Sequence, residues 1–257
     1  MAIDPRAVVA PDARISGDVE IVPFTVIGPE VSIGPGCRIG PHVVINGPTR
    51  MGAGNRVFQF ASIGEDPQDK KYGGERTELV IGERNTFREY VSVNRGTVTG
   101  GGTTRIGNDN LLLAYTHVAH DCILGDHIVL STAVNLAGHV QLGDWVIMGG
   151  YAGAHQFCRV GAHAFIGNNT SVLQDIPPYV LATGHPAEPR SVNIEGIKRR
   201  GFSEAEQRAI RNAYRLLYRS ELKLEDALAQ LRELAAGQPV IAPLVEFIAQ
   251  PGRGLAR

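Results

Sequence analysis

The chain has 257 residues, of which 43% are hydrophobic and 31 are glycine, so it can form a sizeable core with many turns. Its formal net charge of −1 excludes an overall basic surface for nucleic acid, and any charged patch must be local. Three scattered cysteines outside any CxxC pair favour a reducing compartment. No basic segment precedes an apolar run at the N-terminus, and no apolar run approaches the ~20 residues of a membrane helix. We therefore expect a cytoplasmic protein without a signal peptide, a membrane span or a nucleic-acid partner.

An apolar residue recurs at every sixth position of the N-terminal two thirds. From Ile3 these positions are Val9, Ile15, Ile21, Ile27, Ile33, Ile39, Ile45, Met51, Val57 and Ile63. The pattern returns at Ile81, and from Ile106 to Val172 it continues one residue out of step. A period of six fits neither a helix, which repeats at about 3.6, nor an alternating strand. It predicts a solenoid of short strands, with one inward side chain per hexad and a glycine-tolerant position at each corner.

These hexads resemble those of the hexapeptide-repeat acyltransferases. The resemblance implies a mainly β fold, a left-handed parallel β-helix of triangular cross-section with about 18 residues per turn. The hand comes from the resemblance, because the usual crossover rule predicts a right-handed path. We assign residues 1–190 to this β-helix, with loops inserted at 66–78 and 94–105. Solenoid insertions often leave from the binding face, but a plain surface loop is an equally good interpretation of 94–105.

The hexads stop after Asp175, and we assign residues 191–257 to a small C-terminal α-helical domain. Ser203 and Glu206 have the spacing of a capping box, which marks the start of a helix. The periodicity then predicts helices to about 220, at roughly 223–236 and at roughly 240–250.

A stripe of basic residues follows one face of the first predicted helix. Spacings of three and four place four arginines on that face: Arg208, Arg211, Arg215 and Arg219. Lys198 lies just upstream. The stripe is either a solvated helix face or a docking surface for an acidic partner.

Residues 18 positions apart should stack roughly 4.8 Å apart on neighbouring coils. One such column contains His120, Gly138 and Gln156, and the next contains Asp121 and His139. An imidazole base beside a sterically open backbone N–H is what acyl transfer to a hydroxyl needs. A lone histidine here would be a solvated side chain, but three of the eight histidines, His117, His120 and His139, lie around this predicted column. The stretch is therefore predicted to be a catalytic centre.

Two other functions are compatible with the same residues. Parallel β-helix proteins resembling γ-class carbonic anhydrases hold zinc with three histidines between subunits, and registry alone does not exclude a metal site. Alternatively, the solenoid is a catalytically silent trimeric scaffold. A zinc site would not explain Gln156, the long loops or the basic helix. A silent scaffold would not explain the histidine column.

The chain is similar to the UDP-N-acetylglucosamine O-acyltransferases over nearly its whole length. The motifs that carry this likeness lie at 59–64, 117–122, 138–139, 155–158, 177–179, 192–202 and 211–214. The resemblance implies transfer of a (3R)-3-hydroxyacyl chain from acyl carrier protein to the 3-hydroxyl of the sugar in UDP-N-acetylglucosamine, the first step of lipid A biosynthesis. It implies no metal or other cofactor, because the donor arrives on the phosphopantetheine of the carrier protein. It also implies a homotrimer with each active site between two subunits.

The resemblance also assigns roles to residues. His120 is the general base, Asp121 orients its ring, and the Gly138 N–H holds the oxyanion. The residues implied in substrate binding are Asp69, Lys71, His117, His139, Gln156, Asn193, Glu195, Arg199 and Arg200. The basic helix and Lys198 would receive the acidic carrier protein.

Two positions depart from the pattern of this family. Asn168 stands where many relatives carry a glycine that leaves the acyl groove long, so we predict a preference for a shorter chain. Pro186 stands where relatives often have a histidine, which leaves that contact to donor or sugar open. The sequence does not decide whether a 3-amino sugar nucleotide is accepted.

Overall fold

The computed structural model describes residues 2–257, which form a three-sided coil of short strands, parallel except for the final antiparallel pair, followed by helices. Sheet A has 11 strands: Ala2–Ile3, Glu20–Ile21, Arg38–Ile39, Arg56–Val57, Thr86–Phe87, Leu111–Leu112, Val129–Leu130, Ile147–Met148, Phe165–Ile166, Val180–Thr183 and Glu188–Val192. Sheet B has nine: Val8–Val9, Val26–Ile27, Val44–Ile45, Ser62–Glu65, Ser92–Asn94, His117–Val118, Asn135–Leu136, Gly153–Ala154 and Ser171–Val172. Sheet C has eight: Arg14–Ile15, Val31–Ile33, Thr49–Met51, Glu78–Ile81, Thr103–Ile106, Ile123–Leu124, Gln141–Leu142 and Arg159–Val160.

The coil repeats every 18 residues, as the hexads predict. His117 pairs with Asn135 in parallel, and Asn135 pairs with Gly153. The next residue of each strand points inward, so Val118 and Leu136 are fully buried in one column of the core. Each such side chain stabilises the fold by roughly 1.5–3 kcal/mol. The predicted mainly β solenoid with a helical C-terminal part is confirmed.

Two insertions interrupt the coil at one edge. Ser62 pairs with Ser92, 30 residues later, and Ser92 pairs with His117, 25 residues later. The second coil is therefore seven residues longer than the regular one, and this explains why the hexads resume one residue out of step. The inserted segments 66–77 and 95–102 both connect sheet B to sheet C. We call this edge the B–C corner, and name the A–B and C–A corners in the same way.

The corners use the left-handed backbone conformation that glycine tolerates, as expected, but most of these positions carry other residues, including large aromatic rings. Phe60 has φ 64° and Trp145 has φ 63°, and each ring stacks on the ring one coil away. Aromatic stacking of about 0.5–1.5 kcal/mol per pair offsets the cost of this conformation. The glycines that follow the inward residues are needed because neighbouring coils approach each other closely there. A Cβ on Gly34 would lie only 2.8 Å from the Gly52 carbonyl carbon.

Four α-helices follow the coil: α1 Ile194–Arg199, α2 Glu204–Tyr218, α3 Leu224–Gly237 and α4 Ala242–Ala249, the last preceded by a 3₁₀ turn at Pro239–Ile241. The predicted capping box is confirmed, since the Ser203 and Glu206 side chains each bond the other's backbone N–H. Tyr179 joins the two parts of the chain by donating a hydrogen bond from its hydroxyl to the Val240 carbonyl at 2.9 Å. Among residues 2–257, every helix is too short or too polar to cross a bilayer.

Candidate active site

His120 and Asp121 form a buried pair at the B–C corner. Each residue is only 5% exposed, and His120 Nδ1 lies 2.8 Å from Asp121 Oδ2. Asp121 has φ 60°, a conformation that aspartate tolerates better than most residues, and its backbone N–H donates to Thr104 Oγ1 at 2.8 Å. Because a carboxylate only accepts hydrogen bonds, Nδ1 carries the proton, and Nε2 is left with a free lone pair.

Gly138 lies directly against the His120 ring. A Cβ on Gly138 would be 2.5 Å from His120 Cε1, so only glycine leaves the ring where it is. The Gly138 N–H donates to no protein acceptor within residues 2–257. The predicted columns are confirmed, since the His139 N–H donates to the His120 carbonyl at 3.0 Å and the Phe157 N–H to the Gly138 carbonyl at 3.2 Å. The corner therefore presents an imidazole beside an available amide.

Two further histidines flank the pair. The His139 ring is perpendicular to that of His120 at 5.2 Å, and its Nε2 lies 3.7 Å from Asp121 Oδ2. His117 Nδ1 lies 2.7 Å from Ser92 Oγ. Burial lowers the pKa of His139, against the opposing charge of Asp121. Burial also lowers the pKa of His117, with a smaller contribution from His120.

The first inserted loop brings Asp69 to the same corner. The Asp69 charge acts on His139 and opposes, weakly, the lowering of its pKa by burial, and Lys71 is exposed nearby in the loop. The buried Arg95 guanidinium anchors this loop through the Asp66 carboxylate and the Tyr72 hydroxyl. Gln156 is exposed at the same corner, two coils beyond His120. These predicted substrate-binding positions therefore lie at the same corner as His120.

A second group of predicted residues lies at the C–A corner, across sheet C from the histidines. Asn193 caps α1 by accepting from the Gly196 N–H at 3.2 Å, and its amide donates to the His163 carbonyl at 2.9 Å. Arg200 donates to the Trp145 carbonyl at 2.9 Å. Glu195, Arg199 and Lys198 are exposed beside them on α1. One face of the coil, roughly 15–20 Å of extended chain, separates this group from His120.

The predicted carrier-protein stripe borders a groove of about 520 Å³. Arg211, Arg215 and Arg219 line it together with Asn193 and Glu195. Arg208 lies outside this lining and pairs with Glu204 at 3.5 Å. The groove does not include His120.

Asn168 lies at the third corner, between sheets A and B. Its side chain is exposed and covers Gly149, because a Cβ on Gly149 would be 2.3 Å from Asn168 Oδ1. Pro186 lies in the connection between the strands Val180–Thr183 and Glu188–Val192. A single chain therefore keeps the residues predicted for acyl length, those predicted for nucleotide binding and the histidines on three different corners.

Sequence reasoning missed the groups that hold Asp121. Thr97 in the second inserted loop donates to the Asp121 carboxylate through both its N–H and its hydroxyl, at 2.8 and 2.7 Å. The available signal was the triple glycine at 100–102, which permits a close approach of the loop. The loop is thus part of the site rather than a plain surface loop.

Family models and close relatives match this chain. The model described as Udp N-acetylglucosamine O-acyltransferase, Domain 2, covers residues 175–256, and that for the bacterial transferase hexapeptide (six repeats) covers 12–47. A relative from Stenotrophomonas maltophilia named acyl-[acyl-carrier-protein]--UDP-N-acetylglucosamine O-acyltransferase is 53% identical over 256 residues, 99% of this chain and 97% of its own length. The chain belongs to this acyltransferase family. A second member, from Stutzerimonas stutzeri, is 49% identical over 99% of both chains.

Solved structures of the family have the same fold. LpxA from Acinetobacter baumannii matches with a TM-score of 0.98 at 44% identity, covering 100% of both chains. The Arabidopsis UDP-N-acetylglucosamine acyltransferase matches with a TM-score of 0.85 at 32% identity, over 99% of this chain and 100% of its own. The left-handed β-helix implied by the family resemblance is confirmed by these neighbours, and the chain is an enzyme of the acyltransferase class.

Proposed function

We propose that this protein transfers a (3R)-3-hydroxyacyl chain from acyl carrier protein to the 3-hydroxyl of the sugar in UDP-N-acetylglucosamine, the first step of lipid A biosynthesis. The names of the relatives support the two substrates. The observation that most supports the chemistry is the His120–Asp121 pair packed against Gly138. The donor brings its own phosphopantetheine thioester, so the proposed reaction needs no metal and no further cofactor.

The proposed mechanism uses His120 twice. Its Nε2 takes the proton from the sugar 3-hydroxyl as that oxygen attacks the thioester carbonyl, a step worth roughly 10²–10⁴ in rate. The Asp121 carboxylate stabilises the imidazolium that results. The Gly138 N–H donates to the oxyanion of the tetrahedral intermediate, which can supply about 10²–10³ more. The intermediate then expels the phosphopantetheine thiolate, and His120 returns the proton to it.

The neighbouring side chains fit the role of substrate holders. The lowered pKa values of His117 and His139 keep both imidazoles neutral at cytosolic pH, so each can donate and accept hydrogen bonds. Asp69, Lys71 and Gln156 offer further polar groups for sugar and donor around the same corner. We assign the sugar and the acyl thioester to this corner.

We assign binding of the nucleotide and of the carrier protein to a second copy of the chain. Asn193, Glu195, Arg199 and Arg200 lie one face of the coil away from His120, so they serve the same reaction only if another subunit presents them. Guanidinium groups suit the diphosphate. The exposed arginines of α2 would receive the acidic carrier protein. A homotrimer with sites between subunits satisfies these requirements.

A metal site is the second candidate for this corner. His120, Asp121 and His139 place donor atoms within 4.8 Å of one another. However, the Asp121 oxygens already accept from the Thr97 N–H, the Thr97 hydroxyl and His120 Nδ1. A zinc ligand at about 2.0–2.1 Å would have to replace these bonds. The geometry therefore favours the acyltransferase.

An acyl-transfer assay of the purified protein with UDP-N-acetylglucosamine and 3-hydroxyacyl carrier protein tests the proposal. Mass spectrometry should detect the 3-O-acylated sugar nucleotide, with no product from an acceptor analogue that lacks the 3-hydroxyl. A 3-amino analogue offered in competition reports the acceptor preference. Elemental analysis of the same preparation tests the metal site, and one equivalent of zinc required for activity would overturn the histidine-base mechanism.

A further inference from the structure

The second inserted loop, 95–102, folds over the buried carboxylate of Asp121. Thr97 donates its backbone N–H to Asp121 Oδ1 at 2.8 Å and its hydroxyl to Oδ2 at 2.7 Å. Asp121 Oδ2 is also the atom that receives His120 Nδ1. The hydroxyl of Thr97 and the imidazole therefore meet at one oxygen, and the position of that oxygen sets the position of the ring.

The direction of each hydrogen bond in this cluster is determined. Since Asp121 accepts, the single hydroxyl proton of Thr97 points to it. Thr97 Oγ1 in turn accepts from the Gly100 N–H at 3.1 Å and lies 3.1 Å from Thr99 Oγ1. The Thr99 hydroxyl must then be the donor of that pair. A chain of donors runs from the loop through Thr97 to Asp121, and such chains strengthen each member.

The loop fits against the carboxylate with no space to spare. A Cβ on Gly100 would lie 2.1 Å from Asp121 Cγ, so glycine is required there. The Asp121 side chain is 1% exposed under this cover. Without the loop, water would reach the carboxylate and compete with His120 for it.

From this geometry, and resting on the function proposed above, we propose that Thr97 is a positioning residue of the reaction. It fixes the Asp121 carboxylate so that His120 keeps its Nδ1 proton on Asp121 and turns Nε2 toward the sugar hydroxyl. Thr97 does not touch the reacting atoms. Its effect on the rate therefore passes through Asp121.

Three substitutions in the wild-type and Asp121→Ala backgrounds test this role. Thr97→Val keeps shape and suits the extended backbone at φ −116° and ψ 154°, but it removes the hydroxyl donor. Thr97→Ser keeps the donor. Thr103→Val is the matched control, because its hydroxyl contacts only Glu78 at 3.4 Å within the described residues. Steady-state kinetics of all variants are combined with urea unfolding.

We expect Thr97→Val to lower kcat about tenfold while both KM values stay within about twofold, because the lost bond to a charged group acts on the chemical step. Thr97→Ser should restore kcat to within about twofold. In the Asp121→Ala background, Thr97→Val should change kcat by less than about twofold, since the two residues act as one unit. Thr103→Val should behave as the wild type.

Distinct results would overturn this inference and the proposed function. An inactive wild-type protein contradicts the function itself. An active wild type whose Thr97→Val variant keeps full kcat, or loses as much in the Asp121→Ala background, contradicts only the role of Thr97. If Thr97→Val unfolds, Thr97→Ala and Thr97→Ser are compared instead, and equal kcat values in these two would likewise contradict it.

Discussion

The A–B and B–C corners are built from the same backbone turn but carry opposite environments. Tyr115 at the A–B corner has φ 63° and Asp121 at the B–C corner has φ 60°. Tyr115 is 60% exposed and stacks on Tyr90 at 4.8 Å, in a ladder of aromatic rings along the outside of the coil. Asp121 is 5% exposed and fully hydrogen-bonded.

The difference between the corners comes from the two inserted loops. Segments 66–77 and 95–102 both leave the coil at the B–C corner, and the second supplies the donors that let a carboxylate be buried there. A buried carboxylate without such partners would cost several kcal/mol. The solenoid therefore supplies the spacing of the proposed catalytic groups, and the insertions supply the burial and the hydrogen bonds.

The largest effect expected at the B–C corner is that of His120→Ala. Removal of the general base should lower kcat about 10³-fold and leave the assembly and its unfolding midpoint close to those of the wild type. Acyl transfer is followed with a radiolabelled donor, and size-exclusion chromatography checks the assembly. Phe24→Ala, which removes an exposed ring near the N-terminal end of the coil, is the control for general damage. Activity that survives in His120→Ala would remove the base from the mechanism.

A single methyl group tests the contact between ring and amide. Gly138→Ala places a Cβ 2.5 Å from His120 Cε1, so the ring must move away from the oxyanion donor, and kcat should fall about 100-fold. Gly153→Ala is the matched control, because its Cβ would meet only the Asn135 carbonyl at 3.6 Å. Equal rates for the two variants would show that the His120–Gly138 contact has no catalytic role.

The C–A corner offers a pH test of stability. Burial, with the nearby Arg200 charge second, lowers the pKa of His163 to about 4. The unfolded chain binds this proton near pH 6.5, whereas the folded chain binds it only near pH 4. The free energy of unfolding therefore keeps its full value above about pH 6.5 and decreases as the pH falls toward 4. His163→Phe removes the effect. The free energy of unfolding should then fall by about 1 kcal/mol less between pH 7 and pH 5 than in the wild type, roughly half of what the full pKa difference gives, because the ring is partly exposed and solvent screens its charge.

Urea denaturation at both pH values and one protein concentration measures this difference. Phenylalanine already occupies left-handed corner positions at Phe60 and Phe157, so the substitution suits the backbone. His42→Phe adds the same ring to a corner stack elsewhere and controls for that change. An unchanged pH dependence in His163→Phe would assign the acid sensitivity to other groups.

The smallest effect is expected at the A–B corner. Asn168→Gly should raise kcat/KM for longer donors relative to shorter ones by a few-fold. The effect should be small because even a whole methylene group in a hydrophobic pocket changes kcat/KM by about 10–200-fold at most. Matched hydroxyacyl carrier proteins of rising length measure the preference. Asn169→Gly, at the neighbouring position with φ 53°, should leave it unchanged. A wild type that already prefers the longest donor would contradict the role of Asn168.

The sequence predicted the parts of this molecule that periodicity controls. The 18-residue step, the inward residues and the stacking of His120 on Gly138 all follow from counting hexads. The conformation of 95–102 follows no repeat, so the two bonds from Thr97 to Asp121 could not be inferred from spacing. The left-handed corner conformation does follow the period, since it recurs at every sixth residue from Asp109 to Asn169, but the choice of which corners carry stacked rings does not.

Mixed assemblies test most directly whether His120 of one chain works with the arginines of another. His120→Ala and the double variant Arg199→Ala/Arg200→Ala are each expected to be nearly inactive alone. Unfolded together and refolded at equal amounts, they should regain about one quarter of wild-type activity, because each site takes its two halves from independent random chains. Activity no higher than that of the separate variants would contradict a site shared between subunits.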